Sequence, residues 1–305
     1  MKVLCTGGAG YLGSVLSKML LQAGHQITVV DNFLYNQYAL ADCCADPKFT
    51  LVRGDCRDND LLTRLVPEVD FIIPLAAIVG APACEADKIA ARTTNLDAIK
   101  MLMQYRSKSQ AILFPTSNSG YGIGGPKECD EDSPMNPVSL YGTLKVEAEK
   151  VVLDGGNSIS FRFATLMGIS ERMRFNLLVN DFVRRALIDR FVVVFEGYFR
   201  RNYLHVRDAA SVFLWAIEHY DDMKEKSYNV GLPDANLTKI QLCETIKKYV
   251  LDFYYCEAPI GKDPDRRNYI VNNQRILNTG WRPQLSLDDT IQELIRAMPI
   301  YGDFR

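Results

Sequence analysis

Apolar residues in the first half of the chain come in short, nearly continuous blocks separated by stretches with helical spacing. The blocks are Val3–Thr6, Gln26–Asp31, Phe49–Asp55, Phe71–Ala76, Ala111–Ser117 and Ser158–Thr165. Between them the spacing predicts helices from Tyr11 to about Ala23, from Cys84 to about Gln104, and from Val138 to about Leu153. Strands that are apolar at almost every position are covered on both faces, as in a parallel sheet. Parallel neighbours need right-handed crossovers, so the expected fold class is α/β, a doubly wound parallel sheet. After about Gly168 the rhythm changes. An Arg-bearing helix, short strands at Phe191–Glu196 and Tyr203–Val206, and amphipathic helices near Thr238–Val250 and Leu287–Met298 follow. This divides the chain into residues 1–168 and a smaller lobe, 169–305, with some segments returning to the main sheet.

Composition excludes several classes. At 305 residues, with 48% hydrophobic and 24% charged, the chain reads as an ordinary globular protein. A net charge of -2 argues against a general binder of nucleic acid or membrane surfaces. No apolar run approaches the ~18 residues of a membrane span. MKVLCTGGAG runs straight from a strand-like block into glycines, unlike a signal peptide. The eight cysteines show no CxxC spacing, and with three histidines they suggest neither zinc nor a disulfide framework. The expectation is a reducing cytoplasm. The near-zero total hides one local excess: residues 171–207 carry eight Arg against four acidic residues, a local charge of +4. Arginine suits a diphosphate, which takes bidentate donors.

Two motifs carry chemistry. Thr6-Gly7-Gly8-Ala9-Gly10-Tyr11-Leu12-Gly13 lies between a strand and a helix, where glycines let backbone approach a pyrophosphate at the helix start. Asp31 ends the next strand, where a carboxylate accepts from both ribose hydroxyls and repels a 2′-phosphate. Asn32 and Phe33 follow it, with no cation adjacent, so NAD is favoured over NADP. Asp55, in Gly54-Asp55-Cys56, either reaches the adenine edge or starts a turn. The second motif is Tyr141-Gly142-Thr143-Leu144-Lys145. One turn apart on a helix, the ammonium is expected to lower the phenol's pKa and tune a general base. Ser117 closes the fifth strand, at the end where open α/β sheets bind ligands, with Thr116 and Ser119 beside it.

Together these residues resemble the extended short-chain dehydrogenase/reductase family, the NAD-dependent nucleotide-sugar epimerases and dehydratases. The likeness runs nearly the whole chain: TGGAGYLG, Asp31, Gly54-Asp55, Leu75-Ala76-Ala77, Asn95, SNSGYG and YGTLK, then Arg201–Val206, Tyr228–Gly231 and Asp265-Arg266-Arg267. It implies a Rossmann half that holds NAD through Gly7, Gly10, Tyr11, Leu12 and Gly13. Asp31, Asn32, Asp55 and Cys56 would take the adenosine side. Leu75, Ala76, Ala77, Asn95, Thr116, Tyr141 and Lys145 complete that set. Catalysis would rest on Tyr141, Lys145 and Ser117: Tyr141 takes a sugar hydroxyl proton while the neighbouring hydride passes to NAD. A nucleotide-diphosphate sugar would lie against Val79, Gly80, Asn118, Ser119, Asn176, Arg201 and Arg267. A homodimer through the helix from Cys84 and the Tyr141 helix is also implied.

Departures from the family pattern narrow the reading. Dehydratases follow the Ser117 position with Asp and Glu; here Asn118 and Ser119 stand instead, and neither serves as a general acid. Thr165-Leu166-Met167-Gly168 replaces the usual Asn-x-Tyr-Gly. Arg207-Asp208 replaces an acidic pair. Finer stretches at Asp31–Leu34, Ile78–Pro82, Ser119–Gly124 and Arg172–Asp181 resemble enzymes of nucleotide-linked heptoses, the GDP-mannoheptose 4-dehydrogenase type. A GDP-heptose is therefore the favoured partner, with a nucleotide-sugar 4-epimerase as alternative. A non-catalytic NAD-binding regulatory protein has no need of the Tyr141 and Lys145 pair. Phe195, Tyr198 and Phe199 either stack on a base or pack a core, and His205 is expected to be structural.

Overall fold

The computed structural model describes residues 1–125, 127–261 and 267–301; Asp265 and Arg266 of the expected late motif lie outside the described residues. Six strands come from the first half: β1 (Lys2–Thr6), β2 (Gln26–Asp31), β3 (Phe49–Arg53), β4 (Phe71–Pro74), β5 (Ala111–Ser117) and β6 (Ser158–Phe163). A seventh, Lys226–Val230, returns from the second half and pairs with β6. The order is Lys226–Val230, β6, β5, β4, β1, β2, β3, parallel at every pairing. Leu4 of β1 lies in register between Thr28 and Ile72. Connections run one way from β1 to β3 and the other way from β4 onward, which opens a crevice at the carboxyl ends of β1 and β4.

The continuous apolar strands have the cause expected of them, since both faces are covered. One face packs helix α1 (Tyr11–Gln22) and the helix Val206–Glu218, the latter through Phe213, over Val3, Val29 and Phe161. The other packs the helices Asn59–Leu65, Ala98–Tyr105 and Leu140–Asp154 over Leu4, Ile72 and Phe114. The smaller lobe has its own core of Val179, Phe182, Leu242, Ile246, Ile291 and Leu294. Its helices start at sequence-encoded caps. Thr238 with Gln241, and Ser286 with Asp289, form capping boxes.

Several elements differ from the sequence expectation. The helix expected from Cys84 to Gln104 is four pieces: Ala81–Ala86, Lys88–Arg92, a π-helical turn Thr93–Asp97, and Ala98–Tyr105. Asp87 breaks it by leaving helical backbone and capping the second piece through Ala90 N–H. The strand expected to run to Thr165 ends at Phe163. Thr165–Met167 instead pairs with Tyr203–His205 in a separate ladder. The helix Val206–Glu218 was passed over in the sequence, although its buried Val206, Ala209, Ala210, Phe213, Ala216 and Ile217 recur at helical spacing.

Candidate active site

At the end of β1 the chain turns through Gly7 with φ +73°, a left-handed conformation that side chains resist. A Cβ there would stand 2.5 Å from the Ala76 nitrogen, so the turn is pressed on the chain leaving β4. A Cβ at Gly13 would meet the Gly7 carbonyl oxygen at 2.4 Å. Gly10 precedes α1 without any side-chain cap, which leaves the first-turn N–H groups of Tyr11 and Leu12 available to an anion. The Tyr11 side chain itself points elsewhere: its hydroxyl donates to the Gly168 carbonyl at 2.6 Å.

Asp31 ties the crevice floor together. Its Oδ2 accepts from Ala9 N–H at 3.0 Å and its Oδ1 from Phe33 N–H at 2.8 Å. Gln37 lies across the same place, donating to the Ala9 carbonyl at 3.2 Å, while its own Oε1 is buried without a partner. Asn32 is exposed beside them. In the turn after β3, Arg57 holds Asp55 through Nη2 at 2.7 Å and Nε at 2.9 Å, which keeps the carboxyl below the usual range. Cys56, half-buried, follows it. Asn95 sits in the π-helical turn, and its amide accepts from Ile78 N–H and donates to the Ile78 carbonyl, each at 2.8 Å. That clamp fixes the chain between Leu75, Ala76 and Ala77 and the partly exposed Val79 and Gly80. Gly80, at φ +97°, turns it into the next helix.

Ser117 ends β5 and accepts from Ser119 N–H at 3.2 Å, starting the one-turn 3-10 helix Asn118–Tyr121. Thr116, Asn118 and Ser119 are buried. Both amide atoms of Asn118 and the Ser119 hydroxyl have no partner. The helix Leu140–Asp154 docks on this turn. Ser139 caps it, and Gly142 lets it approach, since a Cβ there would lie 3.2 Å from the Ser119 carbonyl oxygen. Tyr141 is thereby brought to the end of β5, and Lys145 lies buried one turn on, its Nζ 4.4 Å from the centre of the Phe114 ring.

The electrostatics correct one expectation. Burial, more than any neighbouring charge, sets the Tyr141 phenol. Burial pushes the hydroxyl up to about 12, and the charges that pull against this are Arg174 and Arg267. Burial also lowers Lys145, to about 8, with Glu149 opposing. Arg267, which reaches the Tyr269 hydroxyl at 3.5 Å, acts on Tyr203 as well, as does the buried Arg201. Arg267 thus acts on both Tyr141 and Tyr203, and Arg201 on Tyr203. Asn176 is exposed ahead of the helix Leu178–Ile188.

The sequence reading passed over three residues. Arg174 acts on Tyr141 and Tyr11 and was hidden among eight arginines. The structure sorts that cluster: Arg185 pairs with Asp181 and Asp189, Arg190 with Asp252, and Arg207 with Glu293. Arg172 lies 3.8 Å over the ring of Tyr35, and Gln37 covers Asp31; nothing in their spacing marked either. His205 is structural as expected, buried, accepting from Arg207 N–H at Nδ1 and bonded to Glu293 at Nε2. Phe199 is buried, while Phe195 and Tyr198 are exposed. All eight cysteines are free.

A doubly wound sheet with a glycine turn at its crevice and a Tyr-Lys helix at the end of β5 defines a dinucleotide-dependent oxidoreductase. The chain belongs to the NAD-dependent epimerase/dehydratase family, whose model matches residues 3–231. It is 25% identical to a UDP-glucose 4-epimerase of Lactobacillus helveticus, covering 95% of both chains. It is 25% identical to a CDP-paratose 2-epimerase of Salmonella typhi, covering 96% of this chain and 98% of the relative. The crystal structure of a dTDP-glucose 4,6-dehydratase from Streptomyces venezuelae, solved with NAD bound, superposes with a TM-score of 0.87 at 23% identity, over 98% of this chain and 97% of that one. NAD suits this crevice: the turn admits no side chain at Gly7, the helix start is uncapped, and the Gln37 acceptor beside Asp31 lacks a partner. Among the described residues no helix is long and apolar enough to cross a membrane.

Proposed function

We propose that the enzyme oxidises C4 of a nucleotide-diphosphate sugar, a GDP-linked heptose by preference, and releases a 4-keto sugar. One observation carries the reading. Beside Ser117 stand Asn118 and Ser119, both neutral and both buried, so these two positions supply no acid to expel a sugar hydroxyl after oxidation. Elimination is thereby disfavoured, and the keto-sugar either leaves or is reduced again.

In this reading NAD, when bound, supplies the hydride acceptor. The glycine turn and the N–H groups of Tyr11 and Leu12 hold its pyrophosphate, and Asp31 holds its adenosine ribose. Asn32, Asp55 and Cys56 flank the adenosine, while Leu75–Ala77, Asn95 and Thr116 line the nicotinamide side. Ser117 orients the sugar hydroxyl and Tyr141 removes its proton. Lys145 keeps positive charge beside the phenol. Val79, Gly80, Asn118 and Ser119 shape the sugar pocket. Asn176, Arg201 and Arg267 take the diphosphate. Residues 1–168 form the cofactor half and 169–305 the substrate lobe, with Lys226–Val230 returned to the sheet. A cytoplasmic homodimer is the expected form.

A 4-epimerase is the second reading, favoured by the name of the first relative above; the second is named a 2-epimerase. Incubation with GDP- and ADP-heptoses and UDP-hexoses, with and without a 2-keto acid, separates the two. A keto product that depends on the acceptor supports the dehydrogenase; an acceptor-independent diastereomer supports the epimerase. Tyr141→Phe should cut turnover by roughly 100-fold or more while NAD stays bound. Because the base is the phenolate and burial holds the phenol up, turnover should rise with pH along its acid limb. Unchanged turnover in Tyr141→Phe sinks the role of Tyr141.

A further inference from the structure

One turn beyond Lys145 on the same helix, Glu149 is buried at 3% exposure, where a carboxylate is rare without partners. Its partners come from β6. Arg162 Nε donates to both carboxylate oxygens at 3.1 Å, and the Ser160 hydroxyl donates to Oε1 at 2.5 Å. Arg162 is itself fixed from behind, donating to the Tyr121 hydroxyl at 3.0 Å and the Glu131 carbonyl at 2.9 Å. A buried ion pair of this kind is weak evidence for stability, because desolvation offsets most of the attraction. Its position raises a different use for it.

We propose that Glu149, anchored by Arg162 and Ser160, is a positioning residue that keeps Lys145 cationic at the reacting centre. The inference rests on Lys145 acting beside Tyr141, as in the function proposed above. The groups around Lys145 leave Glu149 this task. On β5 it meets the uncharged Phe114. On β6 the charge is Arg162, turned toward Glu149 and screened by it. The 3-10 turn presents Tyr121, which is bonded to Arg162, and the helix Ala81–Ala86 presents Cys84, which bears on Tyr141. Among the described residues Glu149 is the one charged group found to act on Lys145, and it works against a burial that brings the ammonium near neutrality. Without the carboxylate, Lys145 loses the one charge found to oppose its burial.

The test reads Lys145 directly and needs no sugar. The full-length protein is labelled with ε-13C-lysine, the Lys145 signal is assigned through Lys145→Arg, and it is titrated with and without added NAD. The wild-type midpoint should lie near 8 in the protein alone. In Glu149→Gln it should fall by about one pH unit or more. In Glu149→Gln/Arg162→Met it should fall likewise, because the attracting charge is gone there too. Should Glu149→Gln not fold, Glu149→Asp and the double variant carry the test: the first keeps a midpoint near the wild type and the second sits below it. A midpoint unmoved by loss of the carboxylate, in the single or the double variant, overturns the proposal. A shifted midpoint in a protein that oxidises no nucleotide sugar leaves this inference standing and removes only the proposed function.

Discussion

Around Gly7 the atoms that confine the chain are backbone: Ala76 N and Cα and the Leu75 carbonyl carbon, all within 2.9 Å of where a Cβ would sit. Around Gly197, in the substrate lobe, they are the ends of side chains, Ile240 Cγ1 and Cδ1 at 2.8 and 2.9 Å and the Glu257 carboxyl at 3.1 Å. The same contrast runs through both regions. The cofactor half is framed by a seven-stranded parallel sheet, and its binding groups are largely main chain. The lobe pairs strands of two to four residues and is held by side chains such as Asn180, Asn202 and Asn236 reaching across loops. Backbone recognition suits a fixed cofactor, whereas side-chain recognition can be respecified by substitution.

The sharpest way to break that contrast is a methyl group at each glycine. Gly7→Ala combines a left-handed φ with a backbone clash, and should cost about 3 kcal/mol or more of stability and abolish NAD binding. Gly197→Ala meets side chains that can rotate away, and should cost about 1 kcal/mol and leave NAD binding intact. Thermal unfolding and a fluorescence titration with NAD measure both. Equal damage at the two sites removes the distinction.

How much was legible follows from the same difference. Backbone sites announce themselves in sequence, because glycine and a strand-ending carboxylate are demanded by geometry; Gly7, Gly13 and Asp31 stand where the spacing put them. Side-chain sites do not. Arg174 was one arginine among eight until the fold aimed it at Tyr141 and spent Arg185, Arg190 and Arg207 on ion pairs. A return of part of the second half to the sheet was expected, but which segment was not legible, because Lys226–Val230 lies far along the chain from its partner β6. The pKa expectation failed on burial, a property of packing that a YxxxK spacing does not contain.

A middle-sized effect tests whether cofactor choice rests on one side chain laid over a backbone site. Asp31 accepts from Ala9 and Phe33 and, in the proposed complex, from the ribose. Asp31→Asn should weaken NAD by roughly 10- to 100-fold, the worth of a charge-assisted hydrogen bond. It should weaken NADP less, since the repulsion of a 2′-phosphate is relieved. Paired affinities for the two cofactors give the answer. An unaltered NAD:NADP ratio means that selectivity lies elsewhere on the crevice wall.

The smallest expected effect lies where the two regions touch. The segment after β6 is stapled to the glycine-turn side of the molecule: Ser170 donates to the Tyr11 carbonyl at 2.6 Å, Glu171 pairs with Lys18 at 2.9 Å, and Arg172 covers Tyr35 at 3.8 Å. Tyr35 belongs to the loop that follows Asp31, so Arg172 links the lobe to the adenosine side of the crevice. Such a strap should slow the departure of NAD rather than set its affinity for the turn. An exposed cation–π contact is worth about 0.5–1 kcal/mol, so Arg172→Ala should release bound NAD roughly 2- to 5-fold faster, with little change in association. Tyr35→Leu should match it, and the double variant should add nothing further, because one contact is removed in each case. Release of the reduced cofactor, whose dihydronicotinamide fluoresces, after dilution into excess competing nucleotide measures all three. Independent, additive effects would mean that the two residues act on the cofactor separately, and that the lobe does not fasten the half it covers.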